Sequence, residues 1–229
     1  MSSYLKKCRR FLYLKIEEQH HRGLPLAISL KKNDSLTKAY AALKKGKLIV
    51  YPTDTLYALG ADIFNEGAVR KVYAVKERPL DEPLPVAVSD INMMDKIAFI
   101  SKIALKLVNM FLPGPLTIVL PKKPIVPRIV TGNSETIAIR IPDNDTALSL
   151  ISNYGPLTAT SVNIHGLKPL TSIDEIEKHF KTKDIAVYID QGELKGEPST
   201  IVDLTKSKPI IIREGVIPKE QILSVVSNG

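Results

Sequence analysis

The sequence has no tryptophan, and Cys8 is its one cysteine. A lone thiol excludes an internal disulfide and any zinc site built from several cysteines, and it points to a reducing, cytoplasmic setting. Aromatic residues make up 6% of the chain, which leaves few rings for stacking bases. No run of about 18 apolar residues occurs, so no membrane-spanning helix and no membrane partner are expected. The basic start, residues 6–15, lacks the apolar centre of a secretion signal, and Glu17 and Glu18 argue against an organelle transit peptide. The P-loop, the Gly-x-Gly-x-x-Gly fingerprint and the Gly-x-Ser-x-Gly elbow are all missing. His20, His21, His165 and His179 show no metal-ligand spacing on a shared face, so no metal site is assigned. No nucleophile–base pair stands out.

What is present is ordinary in bulk. The 229 residues are 44% hydrophobic and 24% charged, which suits one large soluble domain that needs no covalent staples. Lysine and arginine outnumber acids by 32 to 24, for a net charge of +8. Such a surplus favours nucleotides, RNA or other anionic partners; a lysine-rich solvated surface explains it equally well. Residues 1–25 read as an N-terminal extension, either an amphipathic helix, a mobile arm or residues from an upstream start. Residues 26–229 read as a single domain.

Local signals alternate along the chain. Residues 24–30 read as a first strand. Asn33-Asp34-Ser35 reads as a helix cap, followed by apolar residues at helical spacing, Leu36, Ala39, Tyr40 and Leu43, up to Gly46. A β-branched strand covers 47–51 and ends at Pro52. A helix from about Asn65 carries Ala68, Val69, Val72, Tyr73 and Val75, and delivers Lys76 and Arg78 near its end. Pro79, Pro83 and Pro85 make residues 76–84 a loop. Further strands are expected at 85–88, 116–120, 137–141, 156–161, 185–189, 199–203 and 209–213. Helices are expected after Ser89-Asp90, over 101–111, over 145–152 behind Asp143 and Asn144, and over 172–180. The pattern is α+β (mixed α/β), a twisted mixed sheet with flanking helices.

Three short motifs carry chemistry, and each has a structural alternative. Lys76 and Arg78 put two cations in a proline-rich loop, suited to phosphate; pairing with Glu77, Asp81 or Glu82 is the alternative. Thr53-Asp54-Thr55 leaves a buried strand and offers hydroxyls to a small polar substrate, or else caps the next turn. Ser161-Val162-Asn163 offers polar readout, or else an Asx-bonded turn. Arg140 and Arg213 end strands, as carboxylate or phosphate clamps or as solvated arginines.

Their order is more telling than any one of them. Tyr51-Pro52-Thr53-Asp54-Thr55 through Gly60, Lys76-x-Arg78-Pro79 with Pro83-Leu84, Pro113-Gly114-Pro115-Leu116-Thr117, Arg140-Ile141-Pro142, Ser161-x-Asn163, Ser199-Thr200-Ile201-Val202-Asp203 and Arg213-x-Gly215 together resemble the YrdC family over about residues 30–220. The best-known members are threonylcarbamoyl-AMP synthases. The resemblance implies a mixed sheet around a basic concave cavity. It implies a reaction of ATP, L-threonine and bicarbonate that forms threonylcarbamoyl-adenylate and pyrophosphate. Mg2+ would accompany the ATP, and a separate threonylcarbamoyl transferase complex would use the product to modify tRNA. By position, Thr55, Arg140 and Ser199 correspond to threonine-binding residues. Lys76 and Arg78 correspond to phosphate ligands with catalytic roles, and Thr136, Ser161, Asn163 and Arg213 to nucleotide ligands. Four positions depart from the family's pattern: Glu82, Ala87, Val162 and His165. Two alternatives stay open on sequence grounds, a module binding tRNA or double-stranded RNA and a YciO-like paralogue acting on another substrate.

Overall fold

The computed structural model describes residues 26–180 and 184–227. The extension 1–25, with Cys8, His20 and His21, lies outside them. The chain divides into two units, Met1–Asp34 and Ser35–Gly229. Both sheets belong to the second.

Helix α1 (Leu26–Lys44) replaces two expectations at once. The strand expected over 24–30 is helix from Leu26 on, and the supposed cap at residues 33–35 lies inside that helix. Leu, Ala and Lys are strong helix formers, and no glycine or proline interrupts residues 26–44. A short apolar alternation cannot outweigh an unbroken helical run. The apolar face itself is as read: Leu36, Ala39 and Leu43 are buried, and Gly46 ends the run at φ +64°.

The strands form two mixed sheets. The smaller has the order β7-β2-β1-β8. Its centre is β1 (Leu48–Tyr51), wholly buried, antiparallel to β2 (Ala58–Gly60) and parallel to β8 (Ile185–Tyr188). The larger has the order β10-β9-β4-β5-β3-β6. It is built from β3 (Val86–Ala87), β4 (Leu116–Pro121), β5 (Thr136–Arg140), β6 (Leu157–Thr158), β9 (Thr200–Asp203) and β10 (Ile210–Arg213). One stretch of chain serves both: β6 belongs to the larger sheet and β7 (Thr160–Ser161) to the smaller, with Ala159 between them. Thr158 fixes that corner. Its hydroxyl donates to Leu59 O at 2.8 Å and accepts from Ala61 N at 2.9 Å, and its carbonyl accepts from the buried Tyr51 hydroxyl at 3.0 Å.

Helices α2 (Glu66–Lys76), α3 (Ile91–Ile97), α4 (Lys102–Phe111) and α5 (Asp145–Tyr154) start where the capping residues stand: Asn65, Asp90, Ser101 and Asn144 each accept from a first-turn amide. Helices α6 (Ile173–Phe180) and α7 (Lys219–Ser227) follow.

Helix α2 ends in a way that shapes the site. Glu77 adopts φ +53°, its amide bonds Ala74 O, and the amide of Arg78 bonds Tyr73 O at 3.0 Å, the paired bonds of a Schellman ending. The loop that follows is braced by Gly132. A Cβ there would sit 2.2 Å from Asp81 O, at φ +56°. Gly132→Ala should therefore destabilise the fold by about 2–3 kcal/mol and lower the melting temperature by roughly 4–12 °C, measured by thermal unfolding against the wild-type chain.

Candidate active site

Two groups of polar side chains lie on either side of the β2–β7 pairing. The first gathers around Lys76, which ends α2. It is 2% exposed, and its ammonium meets Ser161 O at 2.5 Å, Asn163 O at 2.9 Å and Asn163 Oδ1 at 3.3 Å. Three acceptors match the three donors of an ammonium. Burial, then the neighbouring Arg78, pulls its pKa from 10.5 to about 7. Asn163 spends its own amide on Ile164 O and Leu167 O, both at 2.8 Å, and takes the Ser161 hydroxyl at 2.6 Å. The Ser-x-Asn segment is thus an Asx-type turn closed around a buried cation.

Arg78 points elsewhere. Its guanidinium pairs with Glu82 at 3.1 Å, donates to Pro83 O at 3.1 Å and meets His165 Nδ1 at 3.2 Å. Glu82 in turn reaches His165 Nε2 at 3.2 Å, and the backbone amide of His165 donates to Lys76 O at 2.7 Å. The two cations of the loop therefore share one neighbourhood but face different partners. Arg78 and Glu82 are 18% and 39% exposed, and such exposed pairs contribute about 0–1 kcal/mol.

The second group centres on Arg140, the last residue of β5 and 5% exposed. It donates to Thr55 Oγ1 at 2.8 Å and to Asp54 Oδ1 at 2.5 Å. Burial presses its pKa down, while Asp54 and then Tyr51 hold it up. The Thr53-Asp54-Thr55 turn is rigid because Thr53 Oγ1 donates to Leu56 O at 2.6 Å and accepts from the amides of Thr55 and Leu56. Arg213, ending β10, donates to Ser199 O at 2.8 Å and to Ser199 Oγ at 3.3 Å. Burial and then the charge of Arg140 lower its pKa. Ser199 Oγ also bonds Thr117 Oγ1 at 2.8 Å. The close return of the chain past Ser199 requires Gly215, where a Cβ would stand 2.1 Å from Pro198 O.

A cavity of about 200 Å³ opens beside this group, lined by Asp54, Thr55, Pro115, Asp143, Lys195, Glu197 and Val216. Its lining carries three carboxylates and one ammonium, so the basic cavity implied by the resemblance is not what this wall presents. Neither Arg140 nor Arg213 is among the lining residues. The groups are joined through the backbone: Val162 N donates to Tyr57 O at 3.2 Å, and Ala58 pairs with Ser161, two and three residues after Thr55. Of the expected site residues only Thr136 stands apart. It opens β5 at the end opposite Arg140, and its hydroxyl bonds Ser134 at 2.8 Å.

The sequence reading passed over Asp54, Asp143, Lys195 and Glu197 as wall residues. Asp54 lies in a motif whose alternative reading is a turn cap, Asp143 reads as a helix cap, and residues 190–198 carry no element signal. That segment is held by the Tyr57 hydroxyl, which donates to Gly192 O at 2.7 Å and accepts from Gln191 N at 2.9 Å.

The position of Lys76 has a measurable consequence. Its folded pKa of about 7 lies below the ordinary value of 10.5, so the native state releases this proton first. Stability should be flat below about pH 7 and rise from there towards pH 10.5, by up to about 1 kcal/mol per pH unit relative to Lys76→Met. Denaturant unfolding of both chains at pH 7, 8 and 9 measures it. Parallel curves would mean that the three carbonyl acceptors keep the ammonium charged.

The sequence and fold are similar to those of known proteins. The Sua5/YciO/YrdC family model, described as telomere recombination, matches residues 41–215. A Methanocaldococcus jannaschii protein is 45% identical over 178 residues, covering 77% of this chain and 84% of its own length. A Pyrococcus abyssi protein named threonylcarbamoyl-AMP synthase is 40% identical over 187 residues, covering 80% of this chain. The crystal structure of P. abyssi Sua5 complexed with L-threonine superposes with a TM-score of 0.80 at 38% identity, covering 83% of this chain and 57% of that one. The chain thus spans little more than half the length of the P. abyssi protein. No helix among the described residues is long and apolar enough to cross a membrane. With more than half its length matched, the chain belongs to the Sua5/YciO/YrdC family.

Proposed function

We propose that the chain is an L-threonylcarbamoyladenylate synthase, a nucleotidyltransferase that forms threonylcarbamoyl-AMP and pyrophosphate from L-threonine, bicarbonate and ATP. The observation that carries this reading is the Arg140–Thr55–Asp54 cluster, set against a small cavity and joined by the β2–β7 pairing to the Lys76–Arg78 loop. The P. abyssi relative bound to L-threonine supports the choice of amino acid.

In this reading Arg140, Thr55 and Ser199 bind threonine, with Arg140 directed at the carboxylate. Arg78 receives the phosphates. Ser161, Asn163 and Arg213 line the nucleotide side, and Thr136, at the far end of β5, is its outlying member. The uncharged threonine nitrogen adds to the bicarbonate carbon, one C–O bond breaks and water leaves with the amine proton, giving a carbamate. A carbamate oxygen attacks the α-phosphorus, and the bond to pyrophosphate breaks. No protein nucleophile takes part, so the protein contributes alignment and charge neutralisation. Lys76 works from inside by holding the Ser161–Asn163 turn in place. Arg78 has to leave Glu82 for a phosphate, an exchange that gives up a weak exposed pair for a bidentate contact with a doubly charged group.

Among the described residues no cluster of three His, Cys, Asp or Glu side chains could hold a metal. In this reading an Mg2+ ion arriving with ATP would be held by phosphate oxygens and water. The product would pass to a threonylcarbamoyl transferase complex that acts on tRNA.

Purified chain with ATP, bicarbonate and L-threonine should release pyrophosphate, and omitting threonine should abolish the release. Arg78→Ala should lower kcat/KM for ATP about 100- to 1,000-fold, corresponding to about 3–4 kcal/mol of lost charge stabilisation, with little change in melting temperature. An unchanged rate would contradict the phosphate role. Salt-sensitive binding to double-stranded RNA without ATP turnover would favour the RNA module instead.

A further inference from the structure

Two buried polar atoms among the described residues have no hydrogen-bond partner, and they belong to one ion pair: Asp54 Oδ2 and Arg140 Nε. Their companions are engaged, Asp54 Oδ1 with Arg140 Nη2 at 2.5 Å and Arg140 Nη1 with Thr55 at 2.8 Å. An orphaned carboxylate oxygen is costly in a folded interior, and a site built for a ligand is one reason for a fold to retain it. Asp54 and Thr55 both line the 200 Å³ cavity. Oδ2 is the one oxygen of that carboxylate left without a donor, on a residue that lines this space, so a donor group settling against Asp54 would find an acceptor there.

The wall says which ligand group belongs there. Asp54, Asp143 and Glu197 bring three carboxylates against the single ammonium of Lys195. Asp54 is already paired with Arg140, so what selects the ligand group is its unused oxygen: an acceptor without a donor suits an ammonium and not another carboxylate or a phosphate. Arg140 and Arg213 donate to the Thr55 and Ser199 hydroxyls, and Thr55 lines the cavity beside Asp54. A small zwitterion fits this polarity in one orientation, with its acid end towards the arginines and its amine end towards Asp54.

We propose that Asp54 is the amine anchor of the amino-acid substrate, its Oδ2 accepting from the α-amino group while Oδ1 keeps its bond to Arg140. This rests on the synthase reading for the identity of the ligand. It adds a specificity-determining residue: Asp54 makes the site select for an amine, and through Arg140 it couples the position of the amine to that of the carboxylate. A 2-hydroxy acid of the same shape would leave Oδ2 facing an uncharged hydroxyl and forfeit the charge-assisted bond.

Calorimetric binding by the full chain distinguishes the outcomes. The probes are L-threonine and its deaminated analogue 2,3-dihydroxybutanoate. Wild-type chain should bind threonine at least tenfold more tightly than the analogue. Asp54→Asn, which keeps an acceptor for Arg140, should lose most of that ratio by weakening threonine alone. Asp54→Glu, which keeps the charge, should retain part of it. A wild-type ratio near one overturns the anchor whatever the variants do, including the case in which Asp54→Asn fails to fold. Equal weakening of both ligands in a folded Asp54→Asn also overturns it, since that would mark Asp54 as a support for Arg140 only. If the chain prefers another amino acid, the same ratio is read with that amino acid and its 2-hydroxy acid; the threonine assignment then fails while the anchor is still tested. Binding of no amino acid at all overturns both.

Discussion

The molecule is organised around one buried guanidinium. Arg140 ends β5 in the larger sheet, while Asp54 and Thr55 sit on the turn that leaves β1 in the smaller one. The contacts at 2.5 and 2.8 Å therefore tie one sheet to the other, at the point where the cavity opens. Burying an isolated charge costs several kcal/mol. Here the cost is offset by an opposite charge and a hydroxyl, so removing either partner would strand the other. The same pair sets the geometry of the cavity wall, because the turn that carries Asp54 and Thr55 cannot shift without breaking the tie. Thr53 makes the turn stiff, with its hydroxyl serving as both donor and acceptor inside the loop. Stability and site geometry are thus fixed by one set of atoms.

A second buried cation repeats the device. Lys76 ties the end of α2 to the turn that follows β7. Its acceptors are carbonyl oxygens, with no carboxylate among them, so its charge is solvated without being neutralised. Burial, then Arg78, depresses the pKa of Lys76 to about 7; burial lowers that of Arg140 too, but there Asp54 opposes the shift. The β6–β7 corner at Thr158 lets these two ties act together. Residues 157–161 belong to both sheets, and Thr158 bonds the backbone of residues 59 and 61. The turn carrying Thr55 and the turn carrying Asn163 are thereby held at fixed positions on neighbouring strands.

Much of this was legible in the residues. Capping side chains at Asn65, Asp90, Ser101 and Asn144 placed four helix starts, because a cap is a local hydrogen bond that needs no tertiary context. The β-branched runs at 48–51, 116–121 and 136–140 marked central strands for the same kind of reason. The failures are equally physical. Residues 24–30 read as a strand because alternation was weighed over too short a window. Strand β2 is three residues long and exists only through its partners β1 and β7, so no local pattern announces it. Helix α7 is not among the expected elements, although Pro218, Ile222, Val225 and Val226 have helical spacing. In the site, arginines and the serine–asparagine segment were found by residue type and order. The acidic wall was not, since Asp54 and Asp143 also look like turn caps, and Lys195 and Glu197 come from an irregular segment held in place by a distant tyrosine hydroxyl.

Lys76 and Arg78 show where linear spacing misleads. Two cations separated by one residue suggest a single clamp. Glu77 between them takes a left-handed conformation, which turns the chain sharply as α2 ends. The ammonium is consequently directed into the interior against carbonyl oxygens, and the guanidinium is left near the surface against Glu82 and His165. One cation is fixed at 2% exposure and cannot reach an incoming anion without dismantling the Ser161–Asn163 turn. The other is half-buried, held by Glu82, by His165 and by the Pro83 carbonyl, and its ion pair with Glu82 is worth about 1 kcal/mol or less. In the proposed reading this gives a division of labour: the inner cation would hold the Ser161–Asn163 turn in shape, and the outer one would trade its carboxylate for a phosphate.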